Sequence, residues 1–158
     1  MVRPSLSAKV LTALAGRRLA TAESLTGGGI GAAITSVSGA SAVFAGGVIS
    51  YTNEVKHKVL GVPVETLNTC GAVSAPVAQA MAQGARNVIG ADVAVAVTGL
   101  AGPDGDEFGN PVGTVFIGYA DGHTAFAREY HFEGDRAEVR EQTIEAALAL
   151  ILEAANET

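Results

Sequence analysis

The stretch Leu19-Ala-Thr-Ala-Glu-Ser-Leu-Thr-Gly-Gly-Gly-Ile30, continuing as Gly31-Ala-Ala-Ile-Thr-Ser-Val37, decides the fold class. Leu19 to Ser24 is short and apolar, as a buried strand is, and Thr26-Gly27-Gly28-Gly29 interrupts it. Ile30, Ala32, Ala33, Ile34 and Val37 then fall at helical spacing, so a strand, a glycine turn and a helix start follow one another directly. Upstream, Leu6, Val10, Leu11 and Leu14 predict a helix over Ser5 to Leu14, stopped by Gly16. Downstream, Phe44 to Tyr51 reads as a second strand in which Gly46 and Gly47 mark a bulge or a close backbone approach. Asn53 to Leu60 reads as a short helix ending at Gly61.

Ser74 before Ala75-Pro76 is a helix N-cap, and Val77, Met81, Ala85 and Val88 carry that helix to Gly90. Asp92 to Thr98 is a buried strand, followed by a Gly/Pro/Asp-rich loop from Gly99 to Gly113, long enough to suggest a functional role. Thr114 to Tyr119 and Ala125 to Phe132 flank Asp121-Gly122, a hairpin signal, and Asp135 with Glu138 opens a last helix through Ala155. The alternation predicts a three-layer α/β/α sandwich with a mixed, mostly parallel sheet, its antiparallel element being the hairpin. Without repeat, low-complexity tract or linker, residues 1–158 read as one domain.

Composition narrows the function. The 158 residues are 48% hydrophobic and 16% charged, which excludes a disordered tail. A formal charge of -6, with no Lys/Arg cluster, argues against a nucleic-acid partner. One cysteine, Cys70, and three scattered histidines offer neither an internal disulfide nor metal-ligand spacing, and point to a reducing, cytoplasmic setting. Met1 to Val10 lacks an apolar core of a leader, and no apolar run is long enough to span a bilayer, so no membrane partner is expected.

Three segments are able to carry chemistry. Ser24 ends a strand just before a glycine-rich helix start, where free N–H groups converge; the plainer reading makes Ser24 or Thr26 that helix's N-cap. In Tyr51-Thr52-Asn53-Glu54-Val55-Lys56, Lys56 shares a helix face with Asn53, whereas Lys58 is rotated by about 200° towards water. Lys56 is either a solvated surface residue or, if burial lowers its pKa, a base for a serine. Thr98 stands where a strand enters the long loop, at the end of a sheet that binds ligands in open α/β folds. Arg136, beside a helix start, either reaches a phosphate or is solvated. His57, His123, His131 and Cys70 lack partnered motifs.

Taken together, AESLTGG (22–28), YTNEVK (51–56), GAVS (71–74), VTGLAGP (97–103), PVGTV (111–115) and GDR (134–136) resemble, in order and spacing, the nicotinamide-nucleotide amidase family, also known as the CinA C-terminal domain. The resemblance covers nearly the whole chain. It implies an anticodon-binding-domain-like three-layer fold, and hydrolysis of the carboxamide of nicotinamide mononucleotide to nicotinate mononucleotide and ammonia, a step of pyridine-nucleotide salvage. It also implies Ser24 as nucleophile, Lys56 as base, no metal and no cofactor. Thr26, Gly27 and Gly28 are expected to bind substrate, with backbone N–H groups there holding the oxyanion, and Tyr51, Asn53 and Thr98 to line the pocket. Where many relatives read GPDGG and KPVGTV, this chain has Asp106 and Asn110, a change of charge expected to touch substrate affinity. Two other readings stay open: a nucleotide-binding or regulatory module without turnover, and an interaction domain of the competence type. A homo-oligomer is also left open.

Overall fold

The computed structural model describes residues 5–156, so the Met1–Pro4 part of the segment scanned for a leader lies outside them. Ser5 accepts a hydrogen bond from the Ala8 amide at 3.1 Å and starts α1 (Leu6–Ala13). β1 (Leu19–Glu23) then leads through the glycine turn to α2 (Gly29–Thr35), and a single 3₁₀ turn (Ala40–Ala42) precedes β2 (Phe44–Ile49). α3 (Asn53–Lys58), α4 (Val64–Cys70) and α5 (Ala75–Ile89) follow, then β3 (Val93–Gly99), β4 (Thr114–Ala120), β5 (Ala125–His131) and α6 (Arg136–Asn156).

The five strands lie in the order β2-β1-β3-β4-β5. β1 pairs in parallel with both β2 and β3, whereas β3–β4 and β4–β5 are antiparallel. The expected hairpin is therefore present, but the antiparallel part is wider than the hairpin. The reason lies in residues 100–113, which form no helix to carry the chain across the sheet. They return to the same sheet end instead, their neck closed by Leu100 N to Thr114 O and Gly113 N to Leu100 O. At the hairpin itself, Asp121 Oδ1 accepts from the amides of His123 and Thr124, so the turn spans four residues rather than the Asp-Gly pair.

Residue size on the two sheet faces sets the layers. Val93, Val95 and Val97, with Val115, Ile117 and Tyr119, pack against α1, α2 and α6. The alternate positions Ala20, Ala22, Ala94, Ala96 and Ala120 face α5 and α4. The large residues supply apolar area, about 1.5–3 kcal/mol for each fully buried Val or Ile. The small ones let α5 sit close: a Cβ on Gly118 would stand 2.2 Å from the Ala78 carbonyl, and one on Gly84 1.9 Å from that of Leu60.

The bulge expected at Gly46-Gly47 appears as a shift of register between Leu19–Phe44 and Ala20–Gly46. Gly47 also supports the close-approach reading, since a Cβ there would meet Thr21 Oγ1 at 2.2 Å. α4, which no sequence signal indicated, places Cys70 at a helix end instead of after a turn. The last helix begins with a full capping box: Asp135 Oδ1 accepts from Glu138 N, and Glu138 Oε1 from Asp135 N. The parallel trio β1, β2 and β3 thus brings Ser24, Ser50-Tyr51 and Thr98 to one sheet end, beneath the 100–113 loop.

Candidate active site

Ser24 and Lys56, 32 residues apart, meet at that end. Lys56 Nζ lies 3.1 Å from Ser24 Oγ and donates to the carbonyl oxygens of Ser50 at 2.8 Å and Tyr51 at 3.1 Å. The local cause is the short α3, which Thr52 caps by accepting from Val55 N. Its first turn therefore starts directly above the end of β2, and Lys56 points back over the strand it has just left. Lys56 is 1% exposed, and burial lowers its pKa from the ordinary lysine value to about 8. Lys58, two residues on, is exposed and paired with Glu54 at 2.6 Å, as its rotation around the helix predicted.

This arrangement satisfies either form of the amine. A neutral Nζ has two N–H donors for the two carbonyls and one lone pair for the Ser24 hydroxyl; an ammonium donates all three hydrogens to the same oxygens. Among the described residues no carboxylate hydrogen-bonds Lys56, so the neutral form is accessible without breaking an ion pair.

A cavity of about 400 Å³ opens over the pair. Tyr51, Asn53, Thr98, Leu100, Asp104 and Arg136 are among the residues that line it. Thr98 spends its hydroxyl on the Ala72 carbonyl at 2.8 Å, tying the 71–74 segment to β3, and Arg136 donates to Gly102 O at 2.8 Å. Tyr51 is 62% exposed at the rim. Tyr51, Asn53, Thr98, Arg136 and the Ser24–Lys56 pair are thus brought together as the sequence suggested.

Thr26, Gly27 and Gly28, expected to bind substrate, are not brought to this cavity with the others. Gly28, with φ of 102°, is the N-cap of α2 and has no side chain to cap with, so neither Ser24 nor Thr26 is that cap. The buried Glu23 carboxylate caps the helix instead: Oε1 accepts from Thr26 Oγ1 at 2.6 Å and Ile30 N at 2.8 Å, and Oε2 from Gly31 N at 3.1 Å. The amides of the first helical turn are therefore already occupied by an internal anion. Gly27 N is taken by Ser24 O at 3.2 Å. Arg140 completes the frame from α6, donating to Leu25 O at 2.9 Å and Thr26 O at 3.1 Å.

Glu23 and Arg140 were missed by sequence reading. A carboxylate capping a helix seven residues ahead has no local spacing signature, and Arg140 follows Arg136 by one helical turn without any motif around it. The two sequence departures turn out to be partners. Asp106 Oδ2 accepts from Asn110 Nδ2 and Oδ1 from the Asn110 and Phe108 amides, and Asn110 Nδ2 also reaches Val73 O. Neither residue lines the Ser24 cavity. Among the described residues, His57 Nδ1 contacts Val62 O, His131 pairs with Glu129, and no His or Cys stands at the Ser24 cavity.

Known proteins agree with this architecture. The profile of the CinA C-terminal domain matches residues 4–155. A Pseudomonas putida protein named nicotinamide-nucleotide amidohydrolase PncC is 48% identical over 140 residues, covering 89% of this chain and 88% of its own. A CinA-like protein of Geobacter sulfurreducens is 51% identical over 133 residues, 84% of this chain; the match spans about a third (32%) of that longer relative. Among solved structures, a CinA superfamily protein from Klebsiella pneumoniae superposes with a TM-score of 0.94 at 37% identity, covering 97% of each chain. A competence/damage-inducible protein from Agrobacterium tumefaciens gives 0.90 at 39% identity over 99% of each. With its sheet order, its paired Ser24 and Lys56 and these matches, the chain belongs to the CinA C-terminal domain family.

Proposed function

We propose that this chain is a single-domain amidohydrolase that cleaves the carboxamide of nicotinamide mononucleotide to nicotinate mononucleotide and ammonia. One observation carries the reading: a buried lysine amine, lowered to about 8, lies 3.1 Å from a serine hydroxyl at the floor of a cavity. The name of the Pseudomonas putida relative, which matches along nearly its whole length, supports the same substrate.

In the proposed reaction neutral Lys56 takes the proton of Ser24 Oγ, which attacks the amide carbon as the carbonyl π electrons move to oxygen. The C–N bond then breaks while Lys56 returns that proton to nitrogen, and ammonia leaves an acyl-Ser24. Water, deprotonated by Lys56, attacks the acyl carbon, and the proton goes back to Ser24 as the acid departs. The amides of Leu25 and Thr26, which have no partner among the described residues, are assigned to the oxyanion in place of the engaged Gly27 amide. Tyr51, Asn53 and Thr98 wall the nicotinamide side. Arg136 faces the phosphate, which its bond to Gly102 O leaves four donors free to meet. The reading needs no metal, cofactor, nucleic acid or membrane, and places the protein in the cytoplasm.

The test is ammonia release from nicotinamide mononucleotide, with ligand-induced thermal stabilisation measured in parallel. Wild type is expected to release ammonia. Ser24→Ala should lose turnover by about 10³-fold or more while keeping its melting temperature and its ligand stabilisation, since Ser24 caps nothing. Stabilisation without ammonia in the wild type would instead make the domain a nucleotide-binding module.

A further inference from the structure

Ser50 is the one described residue whose side-chain polar atom is buried with no hydrogen-bond partner. Orphaned buried hydroxyls are rare because each forfeits its bonds to water, and this one is fully buried beside the reacting pair. Its own carbonyl is one of the two that hold Lys56 Nζ, at 2.8 Å. Its amide donates to Glu23 O, continuing the β1–β2 ladder by one residue past the Glu23–Ile49 pair, so Ser50 stands opposite Ser24. In a parallel ladder opposed residues share a face, and Ala22 and Val48, two pairs before, already point to the α5 side. The Ser50 hydroxyl therefore belongs to the same face as Ser24 and the α3 lysine.

The bonding of Lys56 shows when that hydroxyl is needed. In the free protein the amine's two N–H groups serve two carbonyls and its lone pair takes the Ser24 proton, which leaves Ser50 with nothing to do. Once Ser24 is acylated it has no hydrogen to give. The neutral amine then has a lone pair to fill, and the buried hydroxyl without a partner on the residue whose carbonyl already holds Nζ is that of Ser50. We propose that Ser50 is a positioning residue whose hydroxyl turns to Lys56 when Ser24 is acylated, holding the amine in place for the attack of water. This rests on the Ser–Lys reading above. No bond is made or broken at Ser50: it donates to the lone pair of neutral Lys56 until the attacking water takes its place there, and accepts from the ammonium once the water proton has arrived. The other ionisable groups around the cavity are Tyr51 at the end of β2, Asp104 of the loop and Arg136 of α6, with Glu23 across β1.

Ser50→Ala separates this role from a structural one. A hydroxyl that bonds nothing in the free protein can be removed without loss, so the melting temperature should hold or rise. The proposal expects kcat to fall about tenfold with KM little changed, and intact-protein mass spectrometry to show accumulated acyl-Ser24 after an initial burst of ammonia. Ser50→Thr, which keeps the hydroxyl, should recover most of kcat. Unchanged kcat in a folded Ser50→Ala protein, or slowed acylation without an adduct, overturns it.

A second measurement stands even if the wild type releases no ammonia. Ser24→Ala removes the same hydrogen that acylation removes, so Lys56 should turn to Ser50 in that background. The pH dependence of Lys56 modification by an amine-acylating reagent should then shift on adding Ser50→Ala to Ser24→Ala, and shift less on adding it to wild type. Equal shifts in both backgrounds refute the proposal independently of the substrate.

Discussion

Two strand-to-helix junctions stand side by side at the same end of the sheet and do opposite things. At the β1–α2 junction the chain turns through glycines into a helix whose first amides are met by its own Glu23. At the β2–α3 junction the carbonyls of Ser50 and Tyr51 point inward and collect a lysine amine instead. In sequence the β1–α2 junction resembles an anion cradle, yet its anion is built in. The β2–α3 junction resembles an ordinary short surface helix, yet it buries a lysine amine. The lesson concerns charge. A buried carboxylate is tolerable where amides converge, and a buried amine where carbonyls converge, so each junction stabilises a group of the polarity that its backbone favours. In the proposed reaction, chemistry arises because Ser24 leaves the first junction uncommitted and lies within reach of the second.

The comparison is broken most severely at Lys56. Lys56→Ala and Lys56→Arg are both expected to lose about 10³-fold in kcat, because a guanidinium keeps the charge but holds its proton. Lys58→Ala, on the solvent side of α3, should lose almost nothing. The activity of the wild type should rise with pH around an apparent pKa of about 8. Stability carries a matching signature whose sign is fixed. The folded-state pKa is below the unfolded value of about 10.5, so between those values the unfolded chain binds more protons and stability rises with pH. Below about 8 the cost of burying the charged amine is fully present. Lys56→Met should flatten that rise, measured by urea unfolding at several pH values. A near-normal kcat in Lys56→Arg would falsify the base assignment.

The next effect belongs to the first junction and falls on stability before activity. Glu23→Ala strips the acceptor from Ile30 N, Gly31 N and the Thr26 hydroxyl in a buried place. That should cost about 2–4 kcal/mol, or roughly 5–15 °C in melting temperature for a domain of this size. Glu23→Gln should be milder, since an amide oxygen still serves Ile30 N while its NH₂ opposes Gly31 N. If the junction were an anion site for substrate, Glu23→Ala would instead lower KM by vacating it. Thermal unfolding and KM, read on one preparation, separate the outcomes.

How much of this was legible follows from range. The capping box at Asp135–Glu138, the Ser74 N-cap and the glycine turn are written within four residues and were read correctly. The Ser24–Lys56 pair has no local signature; its parts were visible as a strand-end serine and a helix-face lysine, and the β1–β2 pairing joined them. Glu23 was hidden because, besides the Thr26 hydroxyl, its partners are amides seven and eight residues ahead. α4 was hidden because Asn68-Thr69 resembles a turn while Leu67 alone anchors the helix to the core. The β3–β4 pairing depended on what residues 100–113 do not form, which a composition rich in Gly and Pro indicates only after the fact.

The smallest effect tests a third junction, the β3–β4 loop, where Asp106 and Asn110 depart from the pattern that the sequence resemblance led one to expect. Read by charge, the pair weakens substrate binding. Read by geometry, the two residues satisfy each other: burial pushes the Asp106 carboxyl up, but the hydrogen bonds from Asn110 and Phe108 outweigh it and hold the group below its ordinary range. A group so held adds stability above its unfolded pKa and loses it only in acid. Asp106→Ala and Asn110→Ala should therefore each lower the melting temperature by about 2–4 °C, the effect of roughly 1 kcal/mol in a domain of this size. The double variant should fall little further, because both single changes remove the same bonds. Turnover should be unaffected, as neither side chain lines the cavity over Ser24. Asn110→Lys decides between the readings, since it restores a positive charge while breaking the pair. Geometry expects a lower melting temperature and a KM for nicotinamide mononucleotide within about threefold of wild type, the most an exposed charge at that remove is worth. A larger fall in KM would show that charge along the loop reaches the substrate, and that the third junction, unlike the first two, acts at a distance.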